Sequence, residues 1–345
     1  MPNIREVASR AGVSVATVSR VLNHPERVSP KTKEHIEAIM KELDFSPNVF
    51  ARSLNLKRSN TVALVIPDIV NPQYMEIARG VEQVAHEKGY NLLLCNTEKN
   101  RVKEQDYIRM LIDKKIDGII LAFTLLQEQD FDEIRRKNIP LVLFGQNILN
   151  ENINSVYSDF REGAFLAVSH LINLGFRKIA YIGGDSDHLE NRDKTLGYTE
   201  ALLSGGLTVS KELMIEGADD VDSGYLAALK LLKLTPPPDA VFAANDLMAM
   251  GAVDALKTEG LRIPEDISVI GYDNIRMASL LEPKLTTVSW PVYKMGLISA
   301  RILIDEVESE EDNPQAQNIY LRPRLKIRKS CGHETRVSEI FDQPT

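Results

Sequence analysis

The sequence predicts two architectures in one chain: a small all-α head built as a helix-turn-helix, and behind it a larger α/β core with parallel sheets. Three observations carry this. The first 45 residues hold three helical stripes, each with its own capping signal. From Thr61 onward, short continuous apolar runs alternate with charged helical segments. Charge divides at the same border, with a balance of +4 in residues 1–60 and −12 in the remainder, summing to −8. A small basic head on a large acidic body fits a head that meets phosphate and a body that does not.

The head reads as follows. Ile4, Val7, Ala8 and Ala11 recur at the i, i+3, i+4, i+7 spacing of an amphipathic helix. Gly12 ends it, because glycine takes the left-handed conformation of a tight turn without penalty. Ser14 caps a second helix, Val15 to Leu22, with Val18, Val21 and Leu22 inward. Ser29-Pro30 is a start signal, a cap residue followed by proline at the first helical position. The third helix runs to about Leu43, with Ile36, Ile39, Met40 and Leu43 inward. Two short helices joined by a glycine turn, then a supporting third, make a helix-turn-helix. Such a set could also be a purely structural bundle. The outer face of the second helix argues against that. Val15, Ala16, Thr17, Ser19 and Arg20 are small or hydrogen-bonding, with one arginine and no acid. They suit the major groove: Arg20 for guanine O6 and N7, Val15 and Ala16 for thymine methyls.

Ser46-Pro47 repeats the cap-plus-proline signal ahead of NVFARSL. A helix of two turns is marginal alone in water. Between Ser46 and Asn60 stand Arg52, Lys57 and Arg58 and no acid. The stretch is either a solvated linker or a hinge that becomes helical only on DNA, pressing an apolar side chain into the minor groove.

In the core, TVALVIP, NLLLCN, GIILAF, PLVLF, KIAYIGG, DAVFAAN and ISVIGYD read as buried strands. Helical segments such as Tyr74 to His86 and Glu128 to Lys137 separate them. Continuous apolar strands alternating with helices indicate parallel sheets covered on both faces. Ligands in such folds sit beyond the carboxyl ends of the strands. There the sequence places Pro67-Asp68, Asn71 to Tyr74, Gln146, the loop after Gly184, Asn245-Asp246 and Asp273-Asn274. Singly, each reads as a cap or loop residue; their shared position is what singles them out.

Composition narrows the function classes. At 345 residues the chain is too long for one ordinary core. With 43% hydrophobic and 26% charged residues it has the composition of a globular protein. It has no apolar run long enough to span a bilayer, and MPNIREVASR contains no apolar signal core. The expected location is the cytoplasm, with no membrane partner. Cys95 and Cys331 read as two free thiols, and no spacing suggests a metal. There is no GxGxxG after a strand, no GxxxxGK[ST], no HExxH and no GxSxG. No enzyme activity and no cofactor are expected.

IREVASRAGVSVATVSRVLN, followed by VSPKTKEHIEAIMKELDFSPNVFARSL, resembles the headpiece and hinge helix of the LacI/GalR family of bacterial regulators. AANDLMAMGAVDAL, ISVIGYDN and EPKLTTV resemble that family's core, which is related to periplasmic sugar-binding proteins. The resemblance implies a headpiece at 1–45, a hinge at 46–60 and a two-lobed periplasmic-binding-protein-like core at 61–333 with three crossovers. The N-lobe would be about 61–158 plus 289–320, the C-lobe about 159–288 plus 321–333, and 334–345 a polar tail. It implies DNA contacts from Ser14, Val15, Ala16, Thr17, Ser19, Arg20 and Asn23, and from Asn48, Ala51 and Leu54 in the hinge. Leu54 would be the wedge.

For the effector, the resemblance implies Arg192, five residues before Gly197, with Asn245 and Asp273. Tyr74 is placed to stack on a sugar ring. Two departures stand out: Gln73 where many relatives carry an aromatic, and Gly145 where many carry an aspartate, leaving Gln146 to take the polar role. Trp290 is expected to pack at the lobe junction. The implied function is a transcriptional regulator, a repressor, binding a double-stranded palindromic operator as a homodimer. A small-molecule effector, a sugar or sugar derivative, would control it. A nucleoside or purine, or a protein co-regulator, is the alternative.

Overall fold

The computed structural model describes residues 2–23, 27–45, 59–146, 153–309 and 315–332. Asn48, Ala51 and Leu54 and the tail lie outside the described residues, as does the side chain of Asn23. The chain forms two units, Met1–Asn60 and Thr61–Thr345.

The first unit is three helices, α1 (Ile4–Ala11), α2 (Val15–Asn23) and α3 (Pro30–Glu42). Each start is fixed by a side chain that satisfies the free N–H groups of a helix's first turn. Asn3 accepts from the Arg5 and Glu6 amides, Ser14 Oγ from the Thr17 amide at 3.1 Å, and Ser29 Oγ from the Thr32 amide at 3.3 Å. Gly12 has φ +64°, and its amide and that of Val13 close the end of α1 onto Ala8 and Ser9 carbonyls. Val7, Ala8, Ala11, Val18, Val21, Ile36, Ile39 and Met40 form the core. The Arg10–Glu42 ion pair, 2.6 Å, ties α1 to α3.

The second unit is a two-lobed α/β core of the periplasmic-binding-protein type. Its first sheet holds β1 (Thr61–Ile66), β2 (Asn91–Asn96), β3 (Gly118–Ala122), β4 (Leu141–Phe144), β5 (Asn154–Tyr157) and β11 (Asn318–Tyr320), in the order β11-β5-β4-β3-β1-β2. The second holds β6 (Ile179–Gly183), β7 (Met214–Glu216), β8 (Ala240–Ala243), β9 (Ser268–Tyr272), β10 (Thr286–Ser289) and β12 (Arg324–Lys326), in the order β12-β10-β9-β8-β6-β7. All neighbours are parallel except β10 and β12. The chain therefore changes sheet after Tyr157, after Ser289 and between Tyr320 and Arg324.

Side chains alternate across a strand, so a strand that is apolar throughout is buried on both faces. β1 shows it: Val62, Leu64 and Ile66 join the core between the sheets' helices on one side, and Ala63 and Val65 the core on the other. The covering helices are α4 (Pro72–Glu87), α5 (Arg101–Asp113), α6 (Asp132–Arg136), α7 (Phe160–Asn173), α8 (Leu189–Ser204), α9 (Val221–Leu232), α10 (Asp246–Thr258) and α11 (Val292–Glu308). The helix expected from Glu128 to Lys137 is a 3-10 turn, Glu128–Phe131, followed by the short α6. Asp130 there accepts from the Gln127 amide and pairs with Arg101, which tightens the first turn. No helix among the described residues is long and apolar enough to cross a membrane. Both cysteines are free and buried.

Candidate functional site

The head presents one outward face. On α2, Val15, Ala16 and Arg20 are exposed, while Thr17 and Ser19 are half-buried. Val18 and Val21 point the opposite way, into the core. Val15 is an apolar side chain 41% exposed on a helix that could have buried it. Exposed Ser14 shares its hydroxyl with Thr17 Oγ1, 2.9 Å away, so these two fix the helix start as well as facing outward. The positive end of α2 lies on this face too, which suits a phosphate.

The second site is a cleft between the two lobes at the carboxyl ends of the strands. From α4 and its cap come Asn71, Gln73 and Tyr74, and from the end of β3 comes Phe123. The other lobe supplies Phe160, Glu190, Asn191, Lys194, Asp219, Asn245 and Asp273.

Asp273 is the centre of this arrangement. It follows β9 in a turn where it and Asn274 have φ +107° and +55°, a conformation that needs outside support. The support is a buried network. Asp246 Oδ2 accepts from the Ile275 amide at 2.8 Å, and its Oδ1 from Thr287 Oγ1 at 2.6 Å. Arg328 Nη2 donates to Asn274 Oδ1 at 2.6 Å. So aimed, Asp273 accepts from the Trp290 indole N–H at 3.2 Å. The Gln73 amide, oriented to donate, reaches across from the other lobe at 2.6 and 3.0 Å. Burial pushes the Asp273 carboxyl up to about 7, against the pull of Lys194 and Trp290. Burial also raises Glu190, opposed by His188 and Lys194, and lifts the Tyr74 phenol well above its ordinary range.

Lys194 is buried on α8. Its Nζ donates to the Ala244 carbonyl at 2.8 Å and lies 4.5 Å from the Tyr272 ring centre and 5.5 Å from that of Phe160. Asn245 caps α10, accepting from the Met248 amide at 2.7 Å, and donates to Asp219. Lys99, in the turn after β2, bridges the lobes to Asp219 at 3.0 Å. The floor is aromatic: Phe123 meets Tyr74, Phe144, Phe160 and Trp290 with ring centres 5.6–6.0 Å apart.

Carboxylates, amides and an ammonium over aromatic rings can accept from, donate to and stack on a small polar ligand touching both lobes.

The comparisons with known proteins fit both sites. Residues 3–48 match the model for bacterial regulatory proteins of the lacI family. Residues 59–328 match the model for periplasmic binding proteins and the sugar-binding domain of the LacI family.

The chain belongs to the LacI family.

Across 331 residues it is 34% identical to the transcriptional repressor PurR of Photobacterium profundum, covering 96% of this chain and 98% of that one. Among solved structures it resembles the lac repressor dimer bound to operator and the anti-inducer ONPF, with TM-score 0.84, 28% identity, 96% of this chain and 99% of that one. It also resembles the transcriptional regulator CelR in complex with cellobiose, with TM-score 0.71, 33% identity, 96% and 100%. It is thus a DNA-binding transcriptional regulator whose relatives are repressors, not enzymes.

Within the cleft the structure brings Tyr74, Asn245 and Asp273 together. It does not bring Arg192 or Gln146 to the cleft. Arg192 is exposed on the outer face of α8. The inward face carries Asn191 and Lys194, in phase with buried Tyr198 and Ala201, because residues three and four apart share a helix face and residue 192 lies off it. The cleft's cation is Lys194. Gln146 is buried, but its Nε2 donates to the Thr124 carbonyl at 3.2 Å and does not line the space. Gly145 explains why no aspartate stands there: with φ +86°, a Cβ would lie 2.6 Å from the Phe123 ring. The glycine admits Phe123 to the cleft floor. Trp290 is 2% exposed and packs at the junction as expected, but its indole also holds Asp273. Glu190, Asn191, Lys194, Asp219, Phe123 and Phe160 were not foreseen as cleft residues. The phase of α8 was the available signal for the first three.

Proposed function

We propose that this LacI-family regulator represses transcription by binding a palindromic operator as a homodimer, and that a sugar or sugar derivative in the interlobe cleft sets its affinity for DNA. The single observation that carries the reading is a cleft built from both lobes, with Asp273, Lys194 and Asn245 over an aromatic floor, in the same chain as a helix-turn-helix. On DNA, α2 would lie in the major groove, with Arg20 on a guanine and Val15 and Ala16 against thymine methyls. Ser14, Thr17, Ser19 and Asn23 would fix its register. Asn48, Ala51 and Leu54 would follow the minor groove, Leu54 inserted at the central step.

The geometry supports the control step. Gln73 and Tyr74 stand on one lobe, Lys194, Asn245 and Asp273 on the other, so a ligand bonded to both changes the free energy of one lobe placement relative to another. A ligand shifts such an equilibrium only by its difference in affinity for the two states. The CelR structure holds cellobiose, which favours a sugar. A regulator of chromosomal genes acts in the cytoplasm.

The test is recovery and sequencing of DNA fragments that the purified protein retains from the sheared genome of its source organism, with and without a pool of small metabolites. A recurring palindrome with a flexible central step supports the reading. Fragments sharing no motif under either condition overturn it.

A further inference from the structure

The three carboxylates that line the cleft, Glu190, Asp219 and Asp273, are not met alike. Asp219 is paired with Lys99, and Asp273 is met by the Trp290 and Gln73 donors, whereas no side chain among the described residues reaches Glu190 by a hydrogen bond. The two lysines nearby have partners already. Lys194 Nζ is bonded to the Ala244 carbonyl and lies over two rings. Lys99 is paired to Asp219 and bonded to the Ala218 carbonyl. His188 Nδ1 stands 3.7 Å from Glu190, beyond hydrogen-bond reach. Glu190, Asp219, Asp273 and Tyr74 all line the one space. A buried carboxylate is costly unless a cation or several donors meet it.

The apolar part of the wall fits the same conclusion. Tyr74, Phe123 and Phe160 present rings to the cleft, and ring faces attract cations. Lys194 already shows this chemistry inside the site: an ammonium held by a carbonyl and by the Tyr272 and Phe160 rings. A neutral polyol would leave Glu190 without a cationic partner, and an acidic sugar would set a second acid beside it.

We propose that the effector carries a protonated amine, as an amino sugar does, and that its ammonium is received by Glu190 and Asp219 beside the aromatic wall while Asp273 and Asn245 take its hydroxyls. This deepens the sugar reading above and rests on the cleft being the effector site. Glu190 is then the residue that selects for the amine.

Trp290 is the single tryptophan of the chain and donates to Asp273, so its fluorescence reports on the cleft. The full-length protein would be titrated at pH 6.5 with matched sets: glucosamine, galactosamine and mannosamine; glucose, galactose and mannose; glucuronate and galacturonate. The expected result is that one amine binds about 10–100-fold more tightly than its neutral counterpart, the range of a charge-assisted hydrogen bond, and that the acid binds weakest. Glu190→Gln should remove that preference, and Asp219→Asn, which keeps shape and hydrogen-bonding capacity, should reduce it. Equal binding of amine and neutral sugar, or tighter binding of the acid, overturns the amine inference and leaves the cleft reading standing. No response to any of the three sets overturns both.

Discussion

Replacing Asp273 by asparagine should make the protein more stable above neutral pH and remove a specific part of its pH dependence. The carboxyl is 6% exposed and its folded-state pKa is raised from 3.8 to about 7, chiefly by burial. An acid whose folded pKa exceeds its unfolded one favours folding where it is protonated. That contribution is fully present below about pH 4 and is lost as pH rises through about 7. Between pH 5 and 8 the loss amounts to about 2–3 kcal/mol, from 1.36 kcal/mol per unit of differential protonation. The Gln73 donation across the cleft stabilises the charged form and sets this as an upper figure. Asparagine keeps the size and the acceptor oxygen facing Trp290 but has no charge to bury. Chemical denaturation of both proteins at half-unit steps from pH 5 to 8 measures the difference. The gap between Asp273→Asn and the parent should widen in favour of the variant as pH rises. A gap that stays constant would show that Asp273 is not held in a desolvated site.

Other variants separate the roles of neighbouring residues. Lys194→Met should abolish the ligand-induced change in Trp290 fluorescence, whereas Arg192→Ala should leave it intact; the reverse pattern would restore Arg192 as the effector residue. Arg20→Ala should cost about 1–3 kcal/mol of operator affinity and relax selectivity at one base pair, read by comparing single-base operator variants; a uniform loss over all sequences would make Arg20 a phosphate contact instead. Gly145→Ala forces a Cβ against the Phe123 ring at a positive φ and should lower the melting temperature and weaken ligand binding together. Leu54→Ala should weaken operator binding in a gel-shift assay; undiminished affinity would remove the wedge role.

Much of this was legible in the sequence where a local rule had no rival. The caps at Ser14 and Ser29-Pro30 and the turn at Gly12 stand where their chemistry requires. The strands readable as apolar runs are β1, β2, β3, β4, β6, β8 and β9; the inner strands β5 and β10, with sequences NSVY and TTVS, carry too many polar residues to show as runs. The short strands β7, β11 and β12, with sequences MIE, NIY and RLK, lie at the sheet edges. Strands of three residues are too short to form an apolar run, whereas the six-residue edge strand β2 forms one. In the cleft, Asn245 and Asp273 were legible because they stand within two residues of a strand's end. Lys194 was not, because spacing from Gly197 picked out Arg192, and only the phase of α8 against its sheet tells the inner residue from the outer. Asp219 was hidden differently: it sits in a loop with φ +64°, held by Asn245 and Lys99 from far along the chain. No local pattern encodes such a contact.

The most direct test of the central claim is the affinity of a recovered operator duplex for the protein, measured by fluorescence anisotropy with and without saturating cleft ligand, in the parent and in Lys194→Met. Coupling between cleft and head predicts a change of about 5–150-fold in the parent and none in the variant. Identical operator affinity in the parent, with the ligand bound or absent, would contradict the account.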